Sequence, residues 1–384
     1  MQLAEQAGRQ FQGAEQSIWL ARLECEHDNL RAAMQWARGS LNEDTSWLHL
    51  AYRLYWFWYL HSAVGEGRAV FERALAQTAE GEQSWARGVA LLGSGSMALY
   101  QGELALARSR LEASLPILRA LDDPFSKALA PFMTGTVAVN QGDYAAAQQL
   151  LEEGLPVFEA LGHRQGVATA LLHLGDVALG RNNPDEAETC YRRCLAIHRA
   201  ETGSTWGMAQ ALNNLGEVAR FRGDLTKAAD FYQEALALFQ LLATQADVAR
   251  TLHNQAALAL ANRDFPAAEA GFRASMALFR RWGNCRGIAE CIAGLAQLQI
   301  AQGAAEAEYR HAATLLAFVE AYFAGVGAAM WPPDRLAFNH AHEELKRKLA
   351  PELIIQARAM GASMPLEHAV AAVLKAKPSE IAPK

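Results

Sequence analysis

A forty-residue beat runs through most of this 384-residue chain. Turn-forming positions fall at Ser62, Gly102, Gly142, Asn182, Gly223, Arg263 and Gly303, at intervals of 40, 40, 40, 41, 40 and 40 residues. Five residues after the turn stands a small residue in six of the seven units: Gly67, Ala107, Ala147, Ala187, Ala228 and Ala268. Four further on comes a large apolar or aromatic one: Phe71, Leu111, Leu151, Tyr191, Tyr232 and Phe272. The seventh unit departs from the pattern with Glu308 and Ala312. A period this even marks a stacked repeat, in which each unit buries its apolar side against the next and terminal units are atypical.

The clearest unit is QALNNLGEVARFRGDLTKAADFYQEALALF, Gln210 to Phe239, which reads as two amphipathic helices joined by a tight turn at Gly223-Asp224. Small residues stand where the two helices must touch: Gly216 and Ala219 in the first, Ala228 and Ala235 in the second. Tyr232, four residues after Ala228 and so on the same helical face, supplies a large plug. This alternation of small contacts and aromatic plugs resembles the tetratricopeptide repeat. The usual period of that repeat is about 34 residues. Forty residues lengthen each helix to roughly 16–18 residues, or ~25 Å at 1.5 Å per residue. Pro116 and Pro156 fall inside second helices and Pro131 inside a first one, where loss of a backbone donor should bend each helix. The fold implied is an all-α, right-handed α-solenoid of tetratricopeptide-like helix pairs with a helical N-terminal lead-in and a C-terminal cap.

Before the array, Ile18, Leu20, Leu23, Leu30, Ala33, Met34 and Ala37 recur at spacings near three and four, a helical stripe. The block WLARLECEHDNLRAAMQWA (Trp19–Ala37), continued by YWFWYLHSAVGEGRAVFERALA (Tyr55–Ala76), resembles the segment after the ATPase core of bacterial signal-transducing ATPases. Those are transcriptional regulators whose tetratricopeptide tails occur beside LuxR-type or SARP-type DNA-binding domains. Long repeats are also what that family carries. After Gly325, Trp331-Pro332-Pro333 interrupts the chain, and three shorter helices are expected at about Asp334–Leu349, Pro351–Met360 and Pro365–Lys375. MPLEHAVAAVL matches the family's closing helix, and Lys377–Lys384 should fray. The division expected is a lead-in over 1–46, about seven repeats over 47–324, and capping helices with a tail over 325–384.

Composition removes several classes. With 51% hydrophobic residues and only 12 prolines, the chain is not built for disorder. A net charge of −6 argues against a direct nucleic-acid surface, and Lys346-Arg347-Lys348 beside Glu343 and Glu344 reads as a solvated helix face. Five cysteines (25, 190, 194, 285 and 291) make no disulfide framework and suit a reducing, cytoplasmic setting. No apolar run reaches the ~18 residues of a membrane span, and the N-terminus lacks a signal-peptide pattern.

Chemistry-bearing motifs are scarce. Gly93-Ser94-Gly95-Ser96-Met97-Ala98 matches a dinucleotide fingerprint, but Gly95 shares its repeat position with Gly135, Gly175 and Gly216, so close helix packing explains it better. Cys190, Cys194 and His198 share a helical face without a fourth ligand, and Cys194 fills the slot of Ala235 one repeat on, so buried thiols are preferred to a metal site. Cys285 and Cys291 read the same way. His340, His342, Glu343 and Glu344 do not form HExxH, and Glu26–Asn29 belongs to the family resemblance. There is no Gly-Lys pair for a Walker loop and no GxSxG elbow. No catalytic residue, metal ligand or cofactor site is nominated, and the chain reads as a non-enzyme.

In tetratricopeptide arrays the first helix of each pair lines the concave side. Carried onto this chain, that resemblance implies inward positions at Thr169, His173 and Asp176, then Gln210, Asn213, Asn214, Glu217 and Arg220, then Arg250, His253 and Asn254. Leu92, Leu99, Phe132 and Val139 would make one end greasier. The rings of Tyr52, Tyr55, Trp56, Phe57, Trp58 and Tyr59 go all round their helix, so some must pack beyond the first repeat, chiefly in core. The implied function is a non-catalytic sensor and interaction arm of a transcriptional regulator, taking a protein or peptide segment or a small effector in its groove. An upstream ATPase domain would be a partner. The alternative is a free-standing scaffold for peptide or protein partners. On either reading, replacing Asn214 and His253 by alanine should weaken binding and leave the melting temperature nearly unchanged.

Overall fold

The computed structural model of the chain describes residue 13 and residues 15–39, 46–60, 63–303 and 305–375. Among them are twenty α-helices and no strand. Consecutive helices pair and the pairs stack, an all-α solenoid of tetratricopeptide-like units. The chain divides into two compact units, Met1–Val218 with Asp230–Gln245, and Ala219–Ala229 with Ala246–Lys384.

The first unit opens with α1 (Gln16–Cys25), α2 (His27–Gly39), α3 (Ser46–Arg53), α4 (Tyr55–Leu60) and α5 (Val64–Leu75). Five longer helices follow: α6 (Trp85–Tyr100), α7 (Leu104–Ala120), α8 (Pro124–Gln141), α9 (Tyr144–Ala160) and α10 (Arg164–Gly180). Next are α11 (Pro184–Ile197), which loosens into a π-turn at His198–Thr202, and the paired α12 (Thr205–Phe221) and α13 (Leu225–Leu241). The helices run unbroken through Pro116, Pro131 and Pro156. The lead-in stripe is buried at Leu20, Leu23, Leu30 and Met34, whereas Ile18 is 64% exposed. The side chain of Ala37, the turn position Ser62 and the tail Lys377–Lys384 lie outside the described residues.

The forty-residue beat has a backbone cause. Gly102, Gly142, Asn182, Gly223, Arg263 and Gly303 all have positive φ, 60° to 81°. At Gly142 the amide donates to Val139 O at 3.0 Å and the next amide, of Asp143, to Ala138 O at 2.9 Å. This is the left-handed closure that ends a helix and satisfies its last carbonyls. Asp143 then turns N-cap, its carboxylate accepting from Ala146 N at 3.1 Å. The following small residue and plug are fully buried: Ala147 and Leu151, Ala187 and Tyr191, for example. A Cβ on Gly175 would come within 2.4 Å of Tyr191, and one on Gly95 within 2.8 Å of Leu111. The glycine row is therefore a close-packing row. Arg–Glu pairs such as Arg68–Glu103, Arg119–Glu153 and Arg199–Glu234 link neighbouring repeats at the surface, where each adds little.

The aromatic helix α4 sends Phe57 and Trp58 into the core, Trp58 edge-on to Phe71. Its other rings reach further. Trp56 and Tyr59 meet Trp206 of α12 with centroids 5.3 and 5.7 Å apart, and the Tyr55 hydroxyl donates to that of Tyr100 at 2.8 Å.

The second unit holds α14 (Gln245–Ala261), α15 (Phe265–Trp282), α16 (Cys285–Ala301), α17 (Glu306–Val326), α18 (Pro332–Lys348), α19 (Pro351–Ala362) and α20 (Leu366–Lys375). The last three helices fall where the sequence puts them, with α18 starting two residues early because Pro332 and Pro333 form its first turn. They pack onto the repeats: α19 lies on α17, where a Cβ on Gly361 would come within 2.3 Å of Thr314 O, and α20 is tied by Arg273 Nη2 to Val373 O at 3.2 Å.

Candidate ligand-binding site

The sequence-predicted wall residues separate into two groups. In the first unit they are buried, apart from the half-buried His173, and largely engaged with one another. The Thr169 hydroxyl donates to Gln165 O at 2.9 Å. Asp176 is a hub: its Oδ1 accepts from the Tyr191 hydroxyl at 2.8 Å and from Asn214 Nδ2 at 2.9 Å, while Oδ2 lies 2.9 Å from His173 Nδ1. Asn213 Nδ2 donates to Asn214 Oδ1 at 3.3 Å. Glu217 accepts from the Tyr232 hydroxyl, and Gln210 is 5% exposed.

The two acids have a packing reason. A buried tyrosine hydroxyl needs an acceptor. Asp176 and Glu217 each stand fifteen residues before a tyrosine plug. The equivalent residues are Ser96 and Thr136 where the plug is Leu111 or Leu151, and Ala257 where it is Phe272. Burial also alters the expectation for substitution: Asn214→Ala removes a buried donor from Asp176 and should cost stability.

In the second unit the outcome differs. Arg250 is exposed and bonds Asp247 Oδ1 at 2.9 Å, and Asn254 is buried. Arg220 and His253, however, converge on Asp334 in the first turn of α18. Arg220 Nη2 donates to Asp334 Oδ1 at 2.8 Å, and His253 Nε2 stands 3.6 Å from Asp334 Oδ2. The three side chains form the polar end of a cavity of about 210 Å³. Its body is apolar, with Phe221, Leu225, Leu260, Phe272 and Met330 among the walls. The space arises because Ala257, Ala293 and Gly294 line it with small groups beside Phe272, where the repeat before has Glu217 beside Tyr232.

His253 is held between a sulfur–hydroxyl run and a carboxylate. Ser275 Oγ donates to the Ala249 carbonyl at 2.7 Å, and Cys291 Sγ to Ser275 Oγ at 3.3 Å. The Cys291 sulfur also lies 3.8 Å from His253 Nδ1, where the donor and acceptor roles follow the tautomer of the ring. Nε2 faces the carboxylate. Burial works against charging this imidazole, but Asp334, with help from Cys291, outweighs it and holds its pKa well above the ordinary value. Burial likewise pushes the Asp334 pKa up, and Arg220 together with His253 overcomes this to hold it well below the usual carboxylate range.

The remaining motifs have structural settings. Cys194 is fully buried, its thiol pKa pushed up by burial. His198 is buried in the slot that Phe158, Phe239 and Phe279 fill in other repeats, and burial drops its pKa to about 4. Among the described residues no group of three or more His, Cys, Asp or Glu is arranged to hold a metal, and no helix is long and apolar enough to cross a membrane.

Residues 134–200 and 166–241 match the tetratricopeptide-repeat family model. The chain carries a tetratricopeptide-repeat region. Its fold is similar to that of a Rap protein complexed with Competence and Sporulation Factor, at 12% identity and a TM-score of 0.58 over 89% of this chain and 98% of that one. Aspartyl phosphate phosphatase F from Bacillus subtilis is similar at 13% identity and 0.53, over 94% and 96% of the two chains. The Rap conjugation gene regulator of plasmid pLS20, in complex with the Phr* peptide, is similar at 12% and 0.53 over 80% and 79%. At such identities the likeness is one of fold. No curated protein sequence matches the chain.

Sequence reasoning missed Asp334, as it missed the apolar walls at Phe221, Leu260 and Met330. Asp334 stands outside the repeats, and its 114-residue separation from Arg220 leaves no periodic trace.

Proposed function

We propose that this tetratricopeptide-repeat protein is a non-catalytic sensor and interaction arm, receiving a protein segment or a small effector on the faces of its first helices. The observation that carries the reading is the cavity of the second unit, where two of the inward polar positions, Arg220 and His253, meet an apolar hollow. A concave, mostly apolar site with a few convergent polar groups is the general form of a ligand pocket. Two of the structures with this fold are complexes, one with the Phr* peptide and one with Competence and Sporulation Factor. The resemblance of Trp19–Ala37 and Tyr55–Ala76 to signal-transducing ATPase regulators supports a role in transcriptional control in the cytoplasm, with an upstream ATPase domain as partner.

A free-standing scaffold for peptides or proteins is the second reading, favoured by the polar residues that recur on α10, α12 and α14. Native mass spectrometry of the full chain, purified from the cells that make it, tests the proposal. A bound guest of defined mass, lost in Ala257→Phe, is the expected result. Bare chain alone, with no guest recovered after crosslinking in those cells, would overturn the sensor reading.

A further inference from the structure

The cavity of the second unit lies where the repeats change what fills them. We infer that it is a site for an uncharged, ring-sized apolar molecule, such as an alkylbenzene, held by contact with Phe221, Leu260, Phe272 and Met330 rather than by a polar head group. The inference rests on the reading of the chain as a receiving arm and names the chemistry that arm would take.

Three observations carry it. The first is a change made at three equivalent positions together. In the first unit Asp176, Tyr191 and Asn214 close one polar cluster, the carboxylate accepting from the hydroxyl at 2.8 Å and from the amide at 2.9 Å. The equivalent residues one repeat on are Glu217, Tyr232 and Asn254, and two repeats on they are Ala257, Phe272 and Gly294. All of this last trio line the cavity. Losing the acid alone would strand the hydroxyl, and losing the hydroxyl alone would strand the acid. With carboxylate, hydroxyl and amide gone at once, that wall asks for no polar partner. Packed interiors leave few voids larger than a water molecule, so a hollow of about 210 Å³ with this lining calls for an apolar occupant.

The second is charge. The ionic groups at the wall already answer one another. Asp334 accepts from Arg220 at 2.8 Å and stands 3.6 Å from His253 Nε2, and Glu290 is 3.1 Å from Arg286. His340, also at the wall, is solvent-exposed. A carboxylate or an ammonium entering the hollow would shed its hydration without meeting an unpaired counter-charge, a cost that a hydrocarbon does not carry.

The third is size. An apolar cavity of about 150 Å³ holds a benzene ring. About 210 Å³ adds room for a short alkyl arm and excludes a folded peptide.

The test uses the full chain in titration calorimetry with ethylbenzene, benzoate and benzylammonium, which share a ring and differ in charge. Ethylbenzene should bind at least tenfold more tightly than either ion. Ala257→Glu combined with Phe272→Tyr rebuilds the acid–hydroxyl pair that Glu217 and Tyr232 form one repeat earlier. This double variant should keep a helical circular dichroism spectrum and a cooperative melt, and abolish ethylbenzene binding. Ala257→Phe, which fills the same space with carbon, should abolish it too. Benzoate or benzylammonium binding as tightly as ethylbenzene, or ethylbenzene binding that survives in either filled variant, would overturn the inference. If none of the three probes binds but a guest in native mass spectrometry is still lost in Ala257→Phe, the apolar inference falls and the sensor reading stands. If neither probe nor guest is found, both fall.

Discussion

Asp334 Oδ1 accepts a hydrogen bond from Arg220 Nη2 at 2.8 Å, although 114 residues of chain separate them. The Arg220 side chain is 8% exposed and that of Asp334 16%. Removing one partner of such a pair leaves the other charge uncompensated, which is costlier than never having built the pair. Asp334→Asn should therefore lower stability by about 3 kcal/mol, read from urea unfolding of the full chain. Arg220→Met combined with Asp334→Leu should recover most of that loss. An Asp334→Asn variant as stable as the parent would show the contact to be incidental.

The same cluster fixes a pH response. Asp334 has a lowered pKa, so its contribution is present above the ordinary carboxylate range and fades as pH falls through the lowered value. His253 has a raised pKa, so its contribution is complete below the ordinary histidine value of 6.5 and fades as pH rises through the raised one. His198 acts in the opposite sense. Its pKa falls to about 4 from 6.5, so the fold weakens as pH drops through that window, by up to about 3 kcal/mol. His198→Phe, the residue type of the equivalent slots at Phe158, Phe239 and Phe279, should flatten the stability profile between pH 6.5 and 4. Unfolding curves across that range measure it, and an unchanged acid slope would assign the slope to other groups.

Turn and packing glycines should respond differently to the same substitution. At Gly223, with φ 79°, an added Cβ meets nothing within 4 Å, so Gly223→Ala carries only the backbone penalty, about 1–2 kcal/mol. At Gly216 the Cβ would come within 2.5 Å of Tyr232, a rigid ring, so Gly216→Ala should cost about 1–3 kcal/mol through overpacking. Arg263 adopts φ 60° without being glycine, so Arg263→Gly should stabilise by up to about 1 kcal/mol. Thermal melts of the three variants check the order, and a gain in stability from Gly216→Ala would overturn the packing account.

These positions also show what the sequence could carry. Turn, small residue and plug are local features repeated every forty residues, so the helix pairs could be read from spacing alone. Asp176 and Glu217 were legible in a different sense than the inward-wall reading allowed. Each accompanies a tyrosine plug, and the pairing of acid with hydroxyl is visible in the aligned repeats before any coordinates. The cavity was half legible. Arg220 and His253 followed from repeat position, but Asp334 comes from a helix after the array, and nothing periodic links it to them.

One long-range tie in the first unit lies at the lead-in. Gln16 is 1% exposed, and its Oε1 accepts from the Trp206 backbone amide at 3.0 Å across 190 residues. Trp206 sits in the first turn of α12, where a helix has amides without internal partners. A side chain from α1 thus acts as a cap supplied from elsewhere in the chain. Gln16→Ala should leave that amide buried without its acceptor and cost about 1–3 kcal/mol. The loss should be local, because the rings of Trp56 and Tyr59 still pack against Trp206. Hydrogen exchange is the measurement: protection should fall across residues 16–25 and at the start of α12 while α9 and α10 keep theirs. Uniform loss across the first unit would mean that α1 is integral to the repeat core rather than docked upon it.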